Sequence, residues 1–182
     1  MIPVNHRIVV RVDLAQKNRM KIGDTVVHTA NNFDTNYRER SPVIAEVVDG
    51  NEYIRKGMLL CCHHNHFYDP SPYHLQDDLY SIPINRTIFG YFDKKGNLKP
   101  LCGNIIGEQV DIPTAIPLPP ELIKQYKDRV IVTNGKGTPY KKGDLAFTRP
   151  SAPYIIVFHW NDIQKRVTKV DSEMIIGIVK AK

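Results

Sequence analysis

The densest set of side chains able to do chemistry is Cys61-Cys62-His63-His64-Asn65-His66, followed by Asp69 and His74. Thiolates, imidazoles and carboxylates hold zinc when four of them converge tetrahedrally, usually from spacers that turn the backbone between ligands. Adjacent residues of a strand point to opposite faces, so Cys61 and Cys62 cannot readily share a metal, whereas His64 and His66 can face one way with His74 as a third ligand. The segment reads better as a strand end followed by a polar loop, and no metal is assigned. A thiol beside a histidine also has the parts of a nucleophile and its base, but no third group orients the base and no oxyanion site accompanies them. Gly135-Lys136-Gly137 is a turn, and no phosphate loop of the P-loop or dinucleotide type is present. With no catalytic residue and no cofactor assigned, the expectation is a protein that is not an enzyme.

The elements around these residues are strands. Residues 43–62, VIAEVVDGNEYIRKGMLLCC, give an apolar run, a turn over Asp49-Gly50-Asn51, a Lys56-Gly57 step and a second apolar run. Residues 129–148, RVIVTNGKGTPYKKGDLAFT, repeat the pattern with the step at Lys142-Gly143, 86 residues later. A second echo sets Gly90, in TIFGYF, against Gly177, in MIIGIV, 87 residues apart. The chain is therefore a tandem of two similar units. Strands are expected over 8–12, 43–48, 58–62, 79–84 and 87–92, then over 104–111, 130–133, 144–148, 155–159, 166–170 and 174–179. The turn Asp93-Lys94-Lys95-Gly96-Asn97 is the expected linker between units. Residues 14–42 are a long polar loop whose apolar patch is Thr25-Val26-Val27, and loops of that length usually carry function. In the second unit residues 112–127 hold four prolines and at most a helical turn over 121–126. With little helical periodicity, the fold class is all-β, with the short strands and turn spacing of barrels.

Composition bounds the function. Of 182 residues, 42% are hydrophobic and 24% charged, which is ordinary for a globular chain. No apolar run is long enough for a membrane helix, and MIPVNHRIVVRV has no signal-peptide core, so a cytoplasmic protein without a membrane partner is expected. Three cysteines are a poor disulfide framework and point to reduced thiols. The formal charge of +6 is spread along the chain. Tyr37, Arg38 and Arg40, and Trp160, Lys165 and Arg166, mix basic and aromatic groups in the way single-stranded nucleic acid requires. Trp160 reads instead as a half-buried anchor, and a nucleic-acid partner is not expected.

Taken in order, residues 6–10, 23–27, 45–50, 56–60 and 88–92, with 131–135, 142–147 and 171–179 in the second half, resemble the GroES-type co-chaperonin family. The resemblance implies two tandem GroES-like β-barrels, over 1–95 and 96–182, the first with a long mobile loop and the second with a shortened Pro-rich one. It further implies a homo-oligomeric ring that docks a GroEL-type chaperonin through an apolar loop and assists protein folding. By position that loop is Gly23, Asp24, Thr25, Val26 and Val27, with Val26 and Val27 as anchors. Weak loops repeated around a ring would bind by avidity. Subunit contacts would fall on the first and last strands, at Ile8, Val9, Val10 and Val12 and at Ile175, Ile176, Ile178 and Val179. The chain departs from the pattern in three places. Asp24 and Thr25 replace a glycine and an aliphatic residue; a short turn replaces the roof hairpin, as in roofless phage-encoded relatives; and only Ile116-Pro117-Leu118 could stand in for the tripeptide in the second unit. These departures support an alternative: a non-enzymatic structural or assembly protein, such as a phage virion component contacting other phage structural proteins, with residues 14–42 as an arm against a neighbour.

Overall fold

A computed structural model describes residues 7–12, 19–22, 24–29, 42–67, 71–110, 129–149 and 152–181. Fifteen strands form two antiparallel sheets among them. The first sheet runs, in spatial order, β6 (His74–Gln76), β7 (Leu79–Pro83), β1 (Arg7–Arg11), β4 (Val43–Asp49), β5 (Leu59–Cys62), β8 (Ile88–Phe92) and β9 (Leu98–Pro100). The second runs β15 (Ile175–Val179), β12 (Leu145–Thr148), β11 (Arg129–Asn134), β10 (Asn104–Gln109), β14 (Ile163–Asp171), β13 (Tyr154–Trp160), β3 (Thr25–Thr29) and β2 (Arg19–Ile22). The all-β class expected from the turn spacing is what the chain adopts. Neither sheet closes into a barrel by strand pairing among the described residues.

Six strands of each sheet follow one plan, β6-β7-β1-β4-β5-β8 in the first and β13-β14-β10-β11-β12-β15 in the second. The register repeats in the strands they share from β1 to β8, bulges included. Val10 faces Val47 as Gly107 faces Val132, with a bulge after Val9 and after Ile106. Cys61 faces Gly90 as Phe147 faces Gly177, again with a bulge on the following residue. The Lys-Gly steps repeat as well. Gly57 (φ 82°) donates its N–H to the Val47 carbonyl, and Gly143 (φ 93°) donates to that of Val132, both at 2.8 Å. A left-handed backbone at each step is open to glycine and costly for a side chain. These shared turns explain why the same pattern could be read twice along the chain.

The sheets also exchange strands. The β2–β3 hairpin lies between β1 and β4 in the chain yet extends the second sheet, where Val27 pairs with Trp160. Strand β9, C-terminal to the turn at 93–97, pairs back on β8 with Phe92 opposite Leu98. That turn is thus the loop of a β-hairpin and not a linker between units. Asp93 closes it by accepting from the N–H groups of Lys95 (2.9 Å) and Asn97 (2.8 Å).

Three apolar cores result. The first sheet encloses one around Ile8, Val10, Val47, Leu60, Ile82 and Ile88. The second encloses a smaller one of Ile105, Val130, Val132, Ala146 and Val170. Between the sheets lies the third, where Ile44, Leu59, Cys61, Phe89, Phe92 and Leu98 meet Val27, Ile106, Ile156 and Phe158. Strand β5 is buried at all four positions because it lines one core with each face, and an unbroken LLCC run is the sequence such a strand requires. The helical turn expected at 121–126, the Ile116-Pro117-Leu118 tripeptide and residues 14–18, 23 and 30–41 of the long loop lie outside the described residues.

Candidate functional site

The segment expected to carry a partner-binding tripeptide is a strand. Val27 is fully buried in the core between the sheets, while Val26 and Thr25 are half-buried and Asp24 is exposed. Neighbours on a strand point to opposite faces, so Val26 and Val27 do not form one apolar anchor. The Val26 N–H donates to the Asn161 side-chain carbonyl at 3.1 Å, and the Asn161 N–H donates to the Val26 carbonyl at 3.0 Å. Asn161 and Asp162 form the two-residue turn between β13 and β14 with φ of 48° and 65°, the mirror-type hairpin turn that Asn and Asp tolerate. Gly23 lies outside the described residues. The sequence did carry a hairpin signal here, since Gly23-Asp24 between Arg19–Ile22 and Thr25–Thr29 is a two-residue hairpin dipeptide.

The interface between the sheets gathers most of the remaining candidates. Trp160 packs on Phe92 with ring centroids 5.7 Å apart and covers the backbone of Gly96, where a Cβ would stand 2.2 Å from the indole. Lys165 donates its ammonium to the carbonyls of Lys95 (3.1 Å) and Gly96 (2.8 Å). Trp160 and Lys165, two of the residues considered for nucleic acid, thus hold the β8–β9 turn. Arg86 of the first unit reaches Asp171 at 3.2 Å and forks onto Glu173 of the second, the charge-assisted geometry that fixes orientation as well as attraction. Lys169 lays its ammonium 4.9 Å from the centroid of Phe89. Burial pushes its pKa down to about 8, with Asp171 opposing that shift and Arg86 adding to it.

Of the residues expected at a subunit contact, Ile8, Val10 and Val12 are buried in the first core, and β1 sits between β7 and β4. That corrects the expectation that β1 is an outer strand, because a strand paired on both sides has no edge to offer. Val9 faces away from that core and is half-buried. Strand β15 is an edge of the second sheet, with Ile175 and Ile178 half-buried, Ile176 65% exposed and Val179 57% exposed.

The cysteine and histidine cluster disperses. Cys62 enters the first core and Cys61 the core between the sheets, so adjacency on a strand parts them as expected. Burial pushes both thiols upward, away from the thiolate that ligation or attack requires. Cys102, at φ 54°, has its thiol raised by burial to about 11. His66 shares a hydrogen bond with the Thr87 hydroxyl and meets Tyr73 edge-on at 4.7 Å, with burial lowering its pKa. His64 stacks on His63 at 4.3 Å, and exposed His74 bonds to the Asp77 carbonyl at 2.9 Å. Among the described residues no three His, Cys, Asp or Glu side chains are placed to hold one metal ion.

A cleft of about 910 Å³ opens beside the interface, lined by Tyr53, Met58, Pro83, Arg86, Leu101 and Cys102 among others. Its walls are mainly apolar, and the charged residues that line it are Arg86, whose guanidinium already serves Asp171 and Glu173, and Lys136. Among the described residues no helix is long and apolar enough to cross a membrane. Set against family models, curated proteins and solved structures, the chain matches none of them.

Proposed function

We propose that this chain is a non-enzymatic structural assembly protein, a self-associating tandem of GroES-like units whose long segment serves as an internal arm. The observation that carries this reading is the complete burial of Val27. A side chain that fills the core between two sheets cannot also be the apolar anchor offered to a chaperonin groove, unless the hairpin leaves its place. Leaving would uncover Phe158 and Trp160 and break the two hydrogen bonds between Val26 and Asn161, one to the Asn161 side-chain carbonyl and one from its backbone N–H. The raised thiols of Cys61 and Cys62 fit the absence of an enzymatic role. Such a protein would belong in an assembly of the kind a phage particle builds, with other structural proteins as neighbours.

Co-chaperonin action is the second reading, and the hairpin tip favours it. Asp24 is exposed and Thr25 and Val26 are only half-buried, which leaves a short segment accessible. Light-scattering mass separates the two, measured on the full chain alone and then with a bacterial chaperonin plus and minus ATP or ADP. The assembly reading expects an oligomer that ignores the chaperonin under every nucleotide condition. Nucleotide-dependent joining, lost on Val26→Asp, would replace it with the co-chaperonin reading.

A further inference from the structure

The face that the first unit turns toward the second is built from Leu59, Cys61, Phe89 and Phe92, and all four are buried there. The repeated register assigns each a counterpart in the second unit. Leu59 opposes Glu46 as Leu145 opposes Ile131, and Cys61 opposes Gly90 as Phe147 opposes Gly177. Phe89 precedes Gly90 on the bulge as Ile176 precedes Gly177, and Phe92 lies two residues beyond Gly90 as Val179 lies two beyond Gly177. The counterpart face is therefore Leu145, Phe147, Ile176 and Val179, extended by Ile131, which is 40% exposed. In the first unit a covered face goes with a covered edge, since β9 lies on the outer side of β8. In the second unit β15 ends its sheet, and the face is covered only in part: Leu145 and Phe147 are half-buried, with the Arg129 guanidinium 4.9 Å from the Phe147 centroid, while Ile176 and Val179 are more than half exposed.

The complementary surface is duplicated too. Within the chain the second unit covers Phe89 and its neighbours with Ile106 and with Ile156 and Phe158 of β13. In the first unit Val9 holds the register place of Ile106 and β6 the place of β13. Val9 is half-buried, and β6 is an edge strand that exposes Leu75 by 54%. One molecule thus contains one joined pair of complementary faces and one pair left apart. An apolar edge strand of the IIGIV kind is a template for pairing with another chain, and natural edges that stay unpaired are blunted by charge, proline or cover. Strand β15 has none of these between Ile175 and Val179.

We infer that the Leu145, Phe147, Ile176 and Val179 face, with the β15 edge, seats the first unit of a second copy of this chain, repeating between molecules the junction that joins the two units within one. The inference rests on the self-association reading and names its surface. The contact is head-to-tail, so each copy presents one seat and one front, and the assembly closes as a ring if the rotation between copies allows it.

Sedimentation and light scattering of the full chain test this, with Ile176→Asp/Val179→Asp as a rear variant and Leu75→Asp as a front variant. Circular dichroism should be unchanged in both, since all three side chains are more than half exposed. The expected result is an oligomer for the parent chain, monomers for each variant alone, and a dimer and nothing larger when the two variants are mixed, because one intact seat then meets one intact front. A rear variant that assembles like the parent overturns the surface while leaving self-association standing. A rear variant that is monomeric beside a front variant that still dimerises overturns the head-to-tail contact in favour of a symmetric one. A parent chain that stays monomeric at every concentration overturns the self-association reading itself.

Discussion

The two sheets repeat one plan but differ in what they enclose. Among the described residues the first buries thirteen in a core of its own, from Ile8 to Ile88, whereas the second buries five, and much of its remaining apolar surface is satisfied against Leu59, Phe89 and the borrowed strand β3. The two sheets therefore share a core as well as a strand order. The interface between them is as much a core as a contact.

The strongest way to break that comparison is Phe158→Ala. Phe158 is fully buried where the sheets meet, and its loss should cost about 3–5 kcal/mol and shift a single unfolding transition for the whole chain. Two separated transitions in a urea melt followed by Trp160 fluorescence and far-ultraviolet dichroism would mean that the units fold apart. Next comes Gly96→Ala, which forces a side chain onto φ 70° and into the face of Trp160, at roughly 2–3 kcal/mol. A neutral result there would show that the β8–β9 turn is not seated on the second unit.

A smaller effect sharpens the contrast through charge. Lys169 on the second unit is buried against Phe89 of the first with its pKa lowered to about 8, so the unfolded chain, titrating near 10.5, holds its proton longer. Stability should rise as pH climbs from about 8 to about 10.5, and Lys169→Met should remove that rise and stabilise the chain by about 1 kcal/mol at neutral pH. An unchanged slope in the variant would place the titration elsewhere. The least effect is expected at His66, on the first unit alone. Its folded pKa lies below 6.5 because it is buried, so the unfolded state takes up the proton first. Its contribution is intact above 6.5 and fades as pH falls below that value, and His66→Gln should flatten the difference in urea midpoint between about pH 7.5 and about pH 5.5.

Legibility along the chain followed the range of the interaction. Strands β4, β5, β11 and β12 were readable because apolar runs that end at Gly50 or Gly135, or begin just after Lys56-Gly57 or Lys142-Gly143, announce themselves over a few residues. Strands β6 and β9, three residues each with one leucine apiece, carry too little pattern to register. The separation of Cys61 from Cys62 followed from pleating alone, as did the half-buried place of Trp160 beside an apolar strand. Residues 25–27 read as part of a loop because their neighbours are polar, yet they lie in strand β3. What makes Val27 interior is β13, more than 120 residues away in the chain.

By itself, then, the sequence determined the all-β class, the duplication and the turns, since these depend on local backbone preference and on a period-two pattern written within each segment. Only the tertiary structure decided that β2–β3 crosses to the second sheet, that β9 returns to the first, and that one face of each duplicated surface is covered more fully than its counterpart. Those outcomes depend on which edges meet. Two edges with the same strand pattern present the same row of backbone donors and acceptors, so the pattern alone cannot choose between them; side-chain fit across the interface does.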